Sequence, residues 1–334
     1  MSSGDAAAQL LRVTADDPEY RRQAAAEAAF WQAVHPMGLE ATEAKYLDGQ
    51  VERYVNERFT GDSRTPWTAT ISRWGAFERG LMLGISSPKR ETSVLETNPR
   101  LRLTLMDISP GAVERRAGML GERFPGRVSS AAADLNFLSL PDEQYDVIVS
   151  SSTIHHVTNL EYLAFQINRA LAPGGHFFLE DYVGEPRFDF SPEKRRLFEM
   201  LYNRDIARQR NRKPGVVWRD ASDLSPFCGI RSDEILDVFR RHLDEVQLRT
   251  AATLTAPMSR SLPADWDDIW ANVPPWRFKL ALLVQRLEQF GIRRRPMPLD
   301  QRFLDELYLV GDTAADAGLL KPGIAFAVYR KRRA

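Results

Sequence analysis

An α/β fold on one doubly wound, mostly parallel, seven-stranded sheet is predicted by three observations. Short apolar runs alternate with helical segments between residues 80 and 182. Two more strand-like runs follow after residue 245. The third observation is that Gly84, Asp107, Asp134, Ser150, Ser151 and Asp181 stand where these runs end. Alternation of this kind implies right-handed crossovers and helices on both faces, with ligands beyond the carboxyl ends of the strands. A helical N-terminal extension precedes the sheet, and a helical insertion precedes its last strand.

The extension carries helix formers over Tyr20–Trp31 and again over Glu40–Arg58, across a Pro36-Met-Gly38 break. Tyr54, Asn56, Arg58 and Trp67 surround the loop Thr60–Pro66. Either that loop folds over a site, or Trp67 and Trp74 simply pack the extension on the sheet.

Leu81–Leu83 is a short strand that delivers Gly84 to a turn, and Arg90–Glu96 is the first crossover helix. The run Leu101–Met106 alternates and ends at Asp107, after which Ser109 caps a helix with Pro110 in its first turn. Arg127–Ala133 leads to Asp134. Tyr145–Ser151 is a fourth strand, Leu160–Leu171 a helix stopped by Pro173-Gly-Gly175, and His176–Tyr182 a fifth strand. Beyond Val183, Ser191–Arg210 reads as an amphipathic helix, and Ser232 caps another over Asp233–His242. Val246–Thr255 and Ile324–Tyr329 complete the seven strands, with Asp265–Phe290 and Leu299–Leu309 as the insertion. The natural divisions are residues 1–78, 79–183 and 184–334.

The 334 residues are 43% hydrophobic and 27% charged, enough for a large buried core. The 45 basic and 45 acidic residues balance, so no global field draws the chain to nucleic acid or to an anionic membrane. Arg293-Arg-Arg295 and Lys331-Arg-Arg333 are read as solvated faces. A single cysteine, Cys228, excludes an internal disulfide and any thiolate-based zinc site, so no metal is expected, and it points to a reducing compartment. No targeting segment is evident, so a cytoplasmic enzyme is expected. Trp266, Trp270, Trp276 and Phe278 form insertion core or a homodimer surface.

The pieces Leu81-Met-Leu-Gly84, Leu105-Met-Asp-Ile-Ser-Pro-Gly-Ala112, Ala133-Asp-Leu-Asn136, Tyr145–Ser152 with Ile154-His-His156, and Leu171-Ala-Pro-Gly-Gly-His-Phe-Phe178 together resemble the class I S-adenosylmethionine-dependent methyltransferases. The resemblance covers residues 79 to 183 and implies an antiparallel last strand. By that resemblance Gly84 would let backbone approach the cofactor, and Asp107, 23 residues later, would accept from both ribose hydroxyls. Asp134 and Leu135 would meet the adenine, and Ser150 and Ser151 the methionine portion. Ile85, Ser86, Ile108 and Arg58 complete the expected S-adenosyl-L-methionine contacts. The loop Gly84-Ile-Ser-Ser-Pro88 departs from the family by lacking its later glycines. That departure keeps open a second chemistry, in which the aminocarboxypropyl arm reacts and methylthioadenosine leaves. A binding-only descendant of the fold is the third reading.

Methyl transfer from a sulfonium asks mainly for orientation, with a base needed only for hydroxyl or ammonium acceptors. His155 and Tyr182 are the catalytic candidates, and His156, Asp181, Phe227 and Arg231 the candidates for contact with a small-molecule substrate. Against these stand ordinary packing for the histidines, capping for Asp181 and Tyr182, and a plain surface loop for residues 220–231. Cys228 reads as a small buried hydrophobe.

Overall fold

The computed structural model describes residues 9–34, 50–208, 211, 213–219, 224–264 and 298–332. Seven strands form one sheet: β1 Arg79–Leu83, β2 Arg102–Asp107, β3 Val128–Ala132, β4 Tyr145–Ser151, β5 Leu171–Tyr182, β7 Leu243–Ala251 and β9 Ile324–Lys331. Their order is β3-β2-β1-β4-β5-β9-β7, with β9 antiparallel to both neighbours and the pairs from β3 to β5 parallel. The order reverses between β1 and β4, which places a crevice beyond the ends of those strands. A separate two-stranded ribbon joins β6 Val216–Trp218 to β8 Ser261–Pro263.

Strand alternation sorts the apolar residues to two faces. Leu81, Leu83, Ile148 and Phe177 bury against helices α5 (Leu160–Ala170) and α7 (Ile235–His242). Met82, Val147, Val149 and Phe178 bury against α3 (Pro88–Thr97) and α4 (Pro110–Arg123) on the other face. Full burial of each such side chain contributes about 1.5–3 kcal/mol. A third cluster joins α6 (Pro192–Tyr202) to α8 (Pro298–Asp316) through Phe198, Tyr202, Phe303 and Leu307.

The extension supplies α1 (Pro18–Val34) and α2 (Gln50–Thr60). Trp67 lies 5.2 Å from the Phe326 ring and Trp74 6.0 Å from Phe178, so both tryptophans pack the extension on the sheet. Tyr54 stacks on Tyr308 at 3.6 Å and donates to Asp312, which holds α2 to α8.

Several local expectations change. Neither predicted serine cap forms: the Ser109 hydroxyl donates to Gln32 of α1, and the Ser232 hydroxyl donates to the carbonyl of Gly184. The helix expected over 191–210 ends as α6 at Tyr202 and continues as a π-helical turn over Asn203–Ala207. Pro173-Gly-Gly175 lies inside β5, where the register to β4 shifts, rather than before it. Trp266, Trp270, Trp276, Phe278 and Arg293–Arg295 lie outside the described residues. Among the described residues no helix is long and apolar enough to cross a membrane.

Candidate functional site

β1 ends in Gly84 at φ +75°, the left-handed region that glycine tolerates. A Cβ there would stand 2.1 Å from Thr153 Oγ1, so the backbone of β1 and the turn after β4 approach as only glycine permits. The Asp107 carboxylate joins two loops, accepting from the N–H of Ile85 at 3.1 Å and of Ser109 at 2.8 Å. Burial pushes its carboxyl above the usual range, against those two donors.

The loop without glycines has its own scaffold. The Ser86 N–H donates to Glu91 at 3.3 Å, its carbonyl accepts from Arg116 at 2.9 Å, and Arg116 pairs with Glu91 at 2.7 Å. The Ser86 and Ser87 hydroxyls are buried with no partner. Nearby, Arg90 contacts Ser151, reaches Ser152 at 3.2 Å and pairs with Glu180 at 3.2 Å.

At the end of β3, Asp134 accepts from the Asn136 N–H at 2.9 Å and from the Tyr20 hydroxyl at 2.6 Å. Tyr20 belongs to α1, which lies across the strand ends. Its ring stacks on Phe227 at 5.4 Å, and Trp31 and Glu27 follow along the helix. Glu27, Trp31, Asp134 and Phe227 help bound a cleft that is partly open to solvent. Gly84, Ile85, Asp107, Ile108, Asp134 and Leu135 line one side, and Glu27, Trp31, Ser152, Thr153, His156 and Phe227 stand among the others.

Behind His156 sits a chain of ionisable groups. His155 Nδ1 lies 2.5 Å from Asp181, and that carboxylate also accepts from the N–H groups of Thr153, Ile154 and Tyr182. Burial opposes a charged ring, but Asp181 more than offsets it and holds His155 protonated well above its ordinary value. His156 Nδ1 lies 2.8 Å from Glu27. Burial works against the Glu27 charge as well, yet His156 and the Phe227 N–H draw its carboxyl down to about 2. The Cys228 thiol sits against both imidazoles and falls to about 6 despite its burial.

Eight expected site residues therefore share one cleft: Gly84, Ile85, Asp107, Ile108, Asp134, Leu135, His156 and Phe227. The others lie elsewhere. Arg58 pairs with Asp316 at 2.9 Å and donates to the Thr250 carbonyl, away from the cleft lining, because α2 packs toward α8. Ser86 stands beside the lining; Ser150 donates to the Leu83 carbonyl and Ser151 to Glu180. Tyr182 spends its hydroxyl on the Glu185 carbonyl, stacks on Phe188, and burial pushes its pKa up. Arg231 is buried against Glu161 and Glu234. His155 and Tyr182 do not line the cleft.

Tyr20, Glu27, Trp31, Arg90 and Ser152 escaped the sequence reading. Positions 20, 27 and 31 share a helix face, and that spacing amid an alanine-rich run was the available signal.

Residues 83–179 match a family model described as a methyltransferase domain. The match is confined to this segment, less than half of the chain. Its sheet order and cleft give it the class I architecture. The domain is similar to phosphoethanolamine N-methyltransferase 1 of Arabidopsis thaliana, 26% identical over 168 residues, 49% of this chain and 31% of that protein. It is also similar to the ubiquinone/menaquinone biosynthesis C-methyltransferase UbiE of Methylobacterium nodulans, 30% identical over 79 residues, 24% of this chain and 31% of that one. The chain thus spans about a third of the length of these relatives. Among solved structures, phosphoethanolamine N-methyltransferase 2 of Haemonchus contortus in complex with S-adenosyl-L-methionine aligns at TM-score 0.42 and 16% identity, over 80% of this chain and 53% of that one.

Proposed function

We propose that this chain is an S-adenosylmethionine-dependent methyltransferase that acts on a small molecule, as a cytoplasmic enzyme of specialised metabolism. One observation carries the reading: six of the residues expected at the cofactor, Gly84, Ile85, Asp107, Ile108, Asp134 and Leu135, line a single cleft at the switch point of the sheet.

The residues fit the cofactor. Each Asp107 oxygen keeps a lone pair beyond its backbone bond, enough for a ribose diol. Ile85, Ile108, Leu135 and Val157 supply apolar walls for a purine. The unpartnered Ser86 and Ser87 hydroxyls, at the amino end of the ten-residue α3, suit a carboxylate. Bound there, the cofactor supplies an activated methyl group. The chain's own part is to hold the nucleoside and to exclude water beneath α1. Because α1 closes the cleft through Tyr20, Glu27 and Trp31, a small acceptor suits it better than a macromolecule.

Titration calorimetry with the cofactor, followed by product analysis by mass spectrometry, tests this. Binding, with adenosylhomocysteine released only when an acceptor is present, is the expected result. Methylthioadenosine formed from cofactor alone, above a protein-free control, would instead favour reaction of the aminocarboxypropyl arm. No binding would sink both. Asp107→Ala should weaken cofactor binding by about 1.5–3 kcal/mol, the worth of charge-assisted bonds, and unchanged affinity in a folded variant refutes the ribose assignment.

A further inference from the structure

The single cysteine of the chain, expected from sequence to be an inert packing residue, meets both histidines of the Ile154–His156 turn. One ligand atom from each of His155, His156 and Cys228 lies within 4.8 Å of the other two. Tetrahedral zinc, at about 2.0–2.1 Å from nitrogen and about 2.3 Å from sulfur, holds its ligand atoms roughly 3.3–3.7 Å apart. Closing the gap takes the ligand atoms about 1–1.5 Å nearer one another.

Each imidazole already has the outer partner that metal-bound histidines characteristically carry. Asp181 holds Nδ1 of His155 at 2.5 Å and Glu27 holds Nδ1 of His156 at 2.8 Å, leaving Nε2 of each ring as the ligating atom. Both carboxylates are buried and themselves fixed: Asp181 by three backbone N–H groups, Glu27 by the Phe227 N–H, the Ser225 hydroxyl and Trp31 Nε1. The cysteine loop is also pre-formed. Arg187 donates to the carbonyls of Ser225, Pro226 and Cys228, and the Ile230 N–H donates to the His155 carbonyl. Zinc plus one thiolate carries a single positive charge, which the two buried carboxylates more than offset.

We propose that His155, His156 and Cys228 bind one zinc ion, with Asp181 and Glu27 orienting the imidazoles. Three protein ligands leave the fourth position of zinc to water or another small ligand. Of the three residues, His156 is the one that lines the cleft, so the ion adjoins the acceptor side of the cofactor site. The proposal stands independently of the methyl-transfer reading, because the ion is detected without turnover.

The test uses tag-free full-length protein stripped with chelator, then titrated with cobalt(II) and with zinc(II). One equivalent of cobalt should give a thiolate-to-metal charge-transfer band, and with one cysteine in the chain that band reports Cys228 alone. Zinc should displace the cobalt and slow alkylation of Cys228 by iodoacetamide at least about tenfold. Cys228→Ser should abolish the band. Glu27→Gln, with all three ligands intact, should weaken zinc by about 10–100-fold. Absence of the band in protein whose circular dichroism is native overturns the site. Alkylation indifferent to zinc, or zinc affinity equal in wild type and Cys228→Ser, overturns it as well.

Discussion

Arg116→Met is expected to lower the unfolding free energy by about 3–5 kcal/mol, the cost of stranding a buried charge. Glu91 is fully buried, one of its oxygens has no partner, and burial already pushes its carboxyl above the usual range. Arg116 is its counter-ion and also holds the Ser86 carbonyl. Denaturant unfolding of the single variant measures the loss, and a change below about 1 kcal/mol would show that the pair carries no such load. The double variant Arg116→Met with Glu91→Leu should recover most of the stability, since a buried pair replaced by apolar groups is often neutral. Its cofactor affinity should stay reduced, because Ser86 has then lost both anchors. This contrast separates support of the loop from support of the fold.

Gly84→Ala is expected to cost at least about 2 kcal/mol in cofactor binding, roughly 30-fold or more, from two sources. A left-handed φ of +75° strains any residue with a Cβ, by about 1–3 kcal/mol. The new methyl would also meet Thr153 Oγ1 at 2.1 Å and Cγ2 at 2.3 Å, forcing the turn after β4 away from β1. Adding Thr153→Ala removes those two contacts but leaves the Thr153 Cβ at 2.7 Å, so it should restore only part of the affinity, with the φ penalty also remaining. Calorimetry on both variants measures how much of the loss the two Thr153 γ-atom contacts cause. Full affinity in Gly84→Ala would mean that the cofactor does not depend on this turn.

The loop Gly84–Pro88 shows where reading by motif stops. Its missing glycines suggested altered handling of the cofactor's amino acid end. In the fold, the same loop is gripped by Glu91 and Arg116 and presents two buried serine hydroxyls. Glu91 and Arg116 are 25 positions apart, and neither belongs to a pattern that announces the contact. Arg58 shows the reverse: a basic residue near an expected lid proves to be a strut between α2 and α8.

What the sequence determined by itself was the sheet and the residues that line one side of the cleft. Strand periodicity and the residues closing each strand are local properties, and a parallel sheet places those ends together whatever else the chain does. Tertiary structure decided the rest: that α1 roofs the cleft through Glu27 and Trp31 while its Tyr20 bonds Asp134, that His155 and Tyr182 lie outside the lining, and that Cys228 meets two histidines about 70 residues earlier in the chain. Such contacts depend on how helices and loops pack across long stretches of chain, and packing is settled by shape, burial and charge pairing among residues whose spacing carries no period.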